Sequence, residues 1–336
     1  MPDTSHPRTR EFSRRVLIAG AAAAACTAAG AAVAQQPAPG PVPRAKGPLV
    51  WLDMDQKELD DAYDQAVYAP NSEQVALRRT VNSAAVRARL GFKRVAYGPT
   101  PVEMLDIYAT KAPNAPVMVF IHGGAWRAGS AKDNAEAAEL FVNAGAHYVV
   151  LDFANVMELG GSLFPMVEQV RRGVAWVYKN AASFGGDPDR IFVGGRSSGS
   201  HLGGVVLITD WQKEFALPAD LVKGALLSSG MYDLKPVRLS KRGAYVKFTD
   251  EMEEALSTQR HLARINCPVV LAHGTYETPE FKRQTRDFAA ALKAAGKPVQ
   301  FFINENYNHF EMMETFASPY GLLGRAVLEQ MQLRST

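Results

Sequence analysis

The sequence predicts an α/β fold: a mostly parallel central sheet with helices on both faces and a small cap. Two observations predict it. Short apolar runs of strand length alternate with longer stretches of helical periodicity through most of the chain. The chain is also long and near-neutral, with 336 residues, 47% of them hydrophobic, and a formal net charge of +3. That is enough to bury one large core.

In order, "FKRVAYG" (92–98) and "EMLDIYA" (103–109) read as a leading antiparallel pair. "PVMVFIHGG" (116–124) is a strand, 133–145 a helix, "HYVVLDFA" (147–154) a strand and 164–185 a helix. "RIFVGG" (190–195) suits a buried strand, and a helix starts at "SHLGGVVLIT" (200–209). The strand "VKGALLSSG" (222–230), the strand "CPVVLAHG" (267–274), the helix 279–296 and the strand "PVQFFIN" (298–304) come next, and helices complete the C-terminus. Two segments fall outside this rhythm. One is an N-terminal helical arm at about 55–90. The other, 231–258, interrupts the alternation where a small cap would cover a site.

The first residues are set apart. Arg14 and Arg15 precede an alanine-rich apolar stretch and "AVA" at 32–34, the n-region, h-region and cleavage site of a twin-arginine export signal. The apolar run is short and weakly hydrophobic, which argues against an uncleaved anchor. Cleavage after Ala34 would leave 302 of the 336 residues, with a charge near +1, in the periplasm or outside the cell. A proline-rich linker spans 35–48 and the folded domain 49–336. Cys26, preceded by alanines, is a poor lipoprotein site. Cys267 would be the lone mature cysteine, so no intramolecular disulfide is expected, and its apolar run makes it an inert buried side chain. No basic block or aromatic-interleaved patch suggests nucleic acid, and no membrane insertion is expected once the signal is removed.

"VGGRSSGSH" (193–201) carries the chemistry. One register reads G-x-S-x-G, from Gly195 to Gly199, with Ser197 at its centre. A nucleophile on a tight strand-to-helix turn needs small neighbours two residues away on each side. Ser197 is then the nucleophile, and Ser198 offers its backbone N–H to an oxyanion. A serine hydroxyl needs a base, and the base an orienting carboxylate. His309, in "YNHFEMM" after the last strand, is placed for the base. His201 is tied to the elbow helix and is read as packed. The acid should follow the penultimate strand, where Glu277 lies in a loop and Glu280 in a first helical turn. Asp233, after the preceding strand, competes, but reads as a turn or cap residue. Glu277 is the expected acid. "FIHGGAW" (120–126) ends a strand about seventy residues earlier, where backbone donors for an oxyanion belong.

"HGGAW", "FGGDPDRIFVGGRSSGSHL", "GTYETPEF" and "NHF" together resemble the α/β-hydrolase superfamily, specifically its kynurenine formamidase-like branch of small esterases and arylformamidases, related to the hormone-sensitive-lipase group. The resemblance spans nearly the whole mature chain. It implies a Ser197–Glu277–His309 triad and an oxyanion hole from the N–H groups of Gly124, Ala125 and Ser198. Two positions depart from the family pattern: glutamate at 277 replaces the usual aspartate, and serine at 198 the usual alanine. The second costs little where only a backbone donor is needed.

The expected function is a secreted carboxylesterase acting on small-molecule esters, with no metal or cofactor required. Arylformamidase chemistry on an N-formyl aryl amine is the alternative. Trp126, Tyr232 and Tyr245 are the expected pocket walls.

Overall fold

The computed structural model describes residues 44–334. The export signal, Cys26 and residues 35–43 of the linker lie outside the described residues. The chain divides into two units, Met1–Ala45 and Lys46–Thr336, and the second holds every helix and strand described below.

This second unit opens with a short hairpin that the sequence pattern does not predict, β1 (Leu49–Trp51) and β2 (Met54–Asp55). Helices α1 (Gln56–Ala62), α2 (Gln65–Tyr68) and α3 (Ser72–Leu90) make the expected arm. Asp55 caps α1 through a reciprocal pair with Glu58, which satisfies two otherwise orphaned N–H groups.

An eight-stranded sheet comes next, ordered β10-β9-β8-β7-β5-β6-β4-β3. β3 (Lys93–Ala96) and β4 (Met104–Tyr108) are antiparallel to each other, and β4 is antiparallel to β6 (His147–Leu151). From β5 (Ala115–Ile121) through β6, β7 (Gly186–Arg196), β8 (Val222–Ser228), β9 (Val269–Gly274) and β10 (Val299–Asn304) all pairing is parallel. Parallel strands need crossovers, and helices supply them: α4 (Ala138–Asn143), α5 (Leu163–Asn180), α6 (Ser198–Leu207), α7 (Trp211–Phe215) and, after the cap, α10 (Pro279–Ala294). The cap holds α8 (Lys235–Leu239) and α9 (Asp250–Leu256), and α11 (Met312–Phe316) and α12 (Leu322–Gln330) close the chain.

The period-two pleat divides the core. Val117, Val119 and Ile121 of β5 face one layer with Val170 and Val174 of α5 and Phe281 and Phe288 of α10. Met118 and Phe120 face the other, against Phe141 of α4, Phe316 of α11 and Val327 of α12. All seven β5 side chains are buried, as a central strand covered on both faces must be.

One expected helix is cut short. Residues 134–137 leave the helical path before α4, because their backbone is bonded elsewhere: Ala135 N–H donates to Ser83 Oγ at 3.1 Å, and Asn134 O accepts from the Tyr148 hydroxyl at 3.2 Å. Among the described residues no helix is long and apolar enough to cross a membrane. Cys267 is buried, and burial pushes its thiol up to about 12, which keeps it protonated.

The arm is tied to the antiparallel edge by Asp106, fully buried on β4 and bonded to Arg87 of α3 and Arg94 of β3. Removing its charge leaves two guanidinium groups facing a neutral amide. Because Arg94 is partly exposed, Asp106→Asn should cost about 2 kcal/mol, below the usual range for breaking a buried pair. The measurement is the urea midpoint at unchanged m-value.

Candidate active site

Ser197 sits between the end of β7 and the start of α6, at the middle of the sheet. Its backbone has φ 54° and ψ −126°, a region that L-residues rarely occupy without a structural reason. The reason is steric. A Cβ on Gly199 would lie 2.1 Å from the Ile121 carbonyl oxygen, and one on Gly195 2.6 Å from the Gly199 carbonyl oxygen. The helix therefore starts hard against β5 and β7, and the residue between must turn sharply.

After β5 the backbone runs through three residues of positive φ: Gly124 at 132°, Ala125 at 56° and Trp126 at 63°. Gly124 has no substitute, since a Cβ there would meet Ala128 O at 2.0 Å. Arg127 and Ala128 N–H groups both bond Gly124 O, which closes the turn. The N–H groups of Gly124, Ala125 and Ser198 have no acceptor among the described residues. Ser198 does more than its backbone: its Oγ accepts from Trp126 N–H at 3.2 Å and ties the turn to α6. The serine at 198 is thus a structural link that an alanine would lack.

His309 lies in the turn between β10 and α11, three residues before the helix. Its Nδ1 donates to Glu277 Oε2 at 2.7 Å, which leaves Nε2 as the unprotonated ring nitrogen. Glu277, 1% exposed, accepts two further bonds on Oε1, from Ser229 Oγ at 2.6 Å and Gly274 N–H at 2.8 Å. Burial pushes its carboxyl up, but His309, Ser229 and Gly274 together outweigh burial and hold it below its ordinary range. Burial also drives the His309 imidazole down, against the opposing pull of Glu277, so the ring stays neutral below the ordinary histidine range. Asn308 fixes the turn from the other side, donating to Asn71 Oδ1 on the arm at 2.7 Å.

Ser197 and His309 line one cavity of about 500 Å³, together with Gly124, Ala125 and Tyr245. No hydrogen bond joins Ser197 Oγ to the imidazole. The arm and the cap meet over this cavity, with Lys241 N–H donating to Asp60 Oδ1 at 2.6 Å and Arg242 Nη2 to Tyr63 O at 3.2 Å.

Two expected wall residues are elsewhere. Trp126 is 2% exposed and packed edge-on against His201, with Nε1 donating to His201 Nδ1 at 3.2 Å. Tyr232 is fully buried, stacked on Phe288 and bonded to Leu227 O. Both rings were drawn into the core because each hydroxyl or N–H found a buried acceptor there. His201 donates to Leu256 O at 3.1 Å, and burial brings it down to about 4, so it is neutral packing. Asp233 accepts from Lys235 N–H in its turn and pairs with Arg260. Glu280 is no exposed helix-end charge: it is fully buried, bonded to Arg283 and to the Tyr63 hydroxyl.

Sequence pattern alone does not single out Ser229, Arg196, Arg242 or Gln65. Ser229 also has positive φ, 55°, at the end of β8, and its place in "SSG" was the available signal. Arg196 is the first variable residue of the G-x-S-x-G run, and lines the cavity with Arg242 of the cap and Gln65 of the arm.

The BD-FAE family matches residues 105–224. The zebrafish (Danio rerio) kynurenine formamidase is 30% identical over 84% of this chain and 98% of its own length. A rice (Oryza sativa subsp. japonica) probable isoprenylcysteine alpha-carbonyl methylesterase is 26% identical over 67% of this chain and 59% of its own. Among solved structures, a thermophilic esterase of Thermogutta terrifontis superposes with a TM-score of 0.57 at 22% identity, covering 72% of this chain and 90% of that one. With its parallel sheet, its elbow at Ser197 and this similarity, the chain belongs to the α/β-hydrolase superfamily, in the kynurenine formamidase-like branch of esterase-type hydrolases.

Proposed function

We propose that the protein is a serine carboxylesterase that hydrolyses small carboxylic esters through an acyl-enzyme on Ser197. One observation carries the reading: Ser197, on its strained turn, shares a cavity wall with His309, whose Nδ1 is held by a buried carboxylate. Relatives named as esterases support it.

In the first half-reaction Ser197 Oγ bonds to the ester carbonyl carbon as its proton passes to His309 Nε2. The negative oxygen that develops is met by the open N–H groups of Gly124, Ala125 and Ser198, donors that need no reorganisation. Collapse breaks the bond to the alcohol oxygen, which takes the proton from the imidazolium. Water then repeats the sequence, losing its proton to His309, and releases the acid and the free serine. Glu277 sets the tautomer throughout and stabilises the imidazolium.

Arylformamidase activity is the second reading, favoured by the zebrafish relative. It uses the same steps on a formamide carbonyl. We further infer export by the twin-arginine route from Arg14, Arg15 and the "AVA" at 32–34.

Ser197→Ala should lower kcat by roughly a thousandfold or more with the fold intact. Ser198→Ala leaves the Trp126 N–H without its acceptor, a loss of about 1 kcal/mol, so activity should fall no more than about tenfold. Equal loss in both variants, with circular dichroism unchanged, would contradict the register of the elbow.

Glu277→Gln keeps size but removes charge, and should lower kcat by roughly two to four orders of magnitude. Asp233→Asn should leave kcat near the wild-type value. The rate needs neutral His309, so it is present above the His309 pKa and lost as pH falls through it. In the wild type that acid limb should lie below 6.5, the ordinary histidine value. In Glu277→Gln it should move lower still, because the group that raises the imidazole is gone while burial, Arg196 and Arg242 still depress it. A dead Asp233→Asn beside a normal Glu277→Gln would place the acid after β8.

Expressed in a host with a twin-arginine pathway, the protein should reach the periplasm with Gln35 at its N-terminus. Replacing Arg14 and Arg15 together by lysine should retain it in the cytoplasm. N-terminal sequencing that finds Met1 on exported, active protein refutes this.

A further inference from the structure

The wall beside Ser197 carries polar groups that the hydrolytic steps do not use. Arg196 is 8% exposed, its Nε is buried, and its guanidinium has no hydrogen bond or ion pair among the described residues. Its stem passes the turn after β5, where a Cβ on Gly123 would come within 3.3 Å of Arg196 Cγ. Arg242 is 5% exposed, and apart from the Nη2 bond to Tyr63 O its Nε and Nη1 are buried without acceptors. Gln65 is 6% exposed, with both amide atoms buried and unpartnered. Three polar side chains more than nine-tenths buried, on three separate elements, thus line one cavity, each with hydrogen-bonding atoms that no other described residue satisfies.

Leaving a guanidinium buried without an acceptor is costly, so a native site that does it repeatedly calls for a ligand. The nearby carboxylates are already engaged. Asp64, in the same wall, is bonded to Lys241, and Glu136, which attracts Arg196 through space, is bonded to Ser83 at 2.9 Å. Rings of Tyr63, Trp126 and Phe281 lie 5.6 to 5.8 Å from the Arg242 guanidinium carbon. They attract the cation but accept none of its in-plane N–H groups. Arg127 adds another cation, stacked over Tyr245 at 4.7 Å. The wall holds four cations, Arg127, Arg196, Lys241 and Arg242, against the single carboxylate of Asp64.

We propose that the substrate is an ester that also carries a carboxylate, bound by the guanidinium groups of Arg196 and Arg242 with the Gln65 amide beside them. A planar guanidinium matches a carboxylate with two parallel bonds, which a neutral ester cannot return. The inference rests on the esterase reading and names its substrate class. Burial and the neighbouring Arg79 bring Arg196 down to about 9 against the opposing pull of Glu136, in keeping with a cation that lacks a hydrogen-bonded counter-ion. After burial and Glu277, both arginines act on His309, which puts them within electrostatic reach of the reacting centre.

The test uses two matched pairs of esters with the full-length enzyme. One pair places the carboxylate on the acyl side, para-nitrophenyl hemisuccinate against para-nitrophenyl butyrate. The other places it on the leaving group, para-acetoxybenzoate against phenyl acetate. In at least one pair the anionic ester should have the higher kcat/KM, by about tenfold or more. In Arg242→Met and Arg196→Met that ratio should collapse, and Arg242→Lys should keep part of it. Calorimetry with Ser197→Ala gives a second readout: monomethyl succinate should bind, and the added Arg242→Met change should abolish binding. If wild-type enzyme hydrolyses both neutral esters as well as or better than their anionic partners, the inference is wrong and the esterase reading stands. If no ester is hydrolysed but monomethyl succinate binds in an Arg242-dependent way, the esterase reading fails and the anion site stands.

Discussion

The close approach of α6 to the ends of β5 and β7 is the constraint on which the site depends. With the Gly199 Cα facing the Ile121 carbonyl, nothing larger than hydrogen fits between them. This contact brings the first turn of α6 to the centre of the sheet, forces Ser197 into its positive φ, and leaves the Ser198 N–H at the helix start with no acceptor among the described residues. The positive end of the helix and its free donor then face the space above the serine. The turn after β5 completes the arrangement, because Ser198 Oγ holds Trp126 N–H and so sets how far the Gly124 and Ala125 donors stand from the elbow. One tight backbone contact therefore organises both the proposed nucleophile and the donors around it.

A second layer of order is electrostatic. Glu277 is buried as an anion, a state that is stable only when every lone pair in reach is occupied. Ser229, Gly274 and His309 meet that need, and each comes from a different place: the end of β8, the end of β9 and the turn after β10. The carboxylate acts as a pin through three adjacent strand ends. Fixing the imidazole is then a by-product of satisfying the charge. The longer side chain at 277 is accommodated by the same contacts, with Ser229 Oγ and the backbone N–H holding one oxygen while the other reaches His309.

The arm and the cap turn an open crevice into a cavity with a charge of its own. The arm is bonded to the cap through Asp60 and Tyr63, and to the His309 turn through Asn71 and Asn308. It supplies Tyr63 and Gln65 to the wall, the cap supplies Lys241 and Arg242, and the elbow itself supplies Arg196. Burying these cations opposes the core's preference for neutral groups. The chain tolerates it where the aromatic faces of Tyr63, Trp126 and Phe281 surround Arg242.

The sequence by itself determined most of the layering. Apolar strand-length runs, each followed by a helical period, specify a parallel sheet covered on both faces, because no other arrangement buries both faces of β5. Glycine spacing marked Ser197 over Ser198, since the steric demand of the turn is local and leaves its trace in residues two positions away. The order of strand ends likewise pointed to Glu277 and His309, which the fold brings to 2.7 Å of each other. What only the tertiary structure decided were the partners set by long-range packing. Trp126 and Tyr232 were legible as large aromatics but were expected in the pocket wall, because the partner that draws each into the core lies far along the chain, His201 for Trp126 and Phe288 for Tyr232. Ser229, Gln65 and the two arginines carried no local signature of their roles. Those roles arise from burial, and burial is a property of the assembled fold: a charged side chain in a cap, such as Arg242, reads as solvent-facing until the arm closes over it.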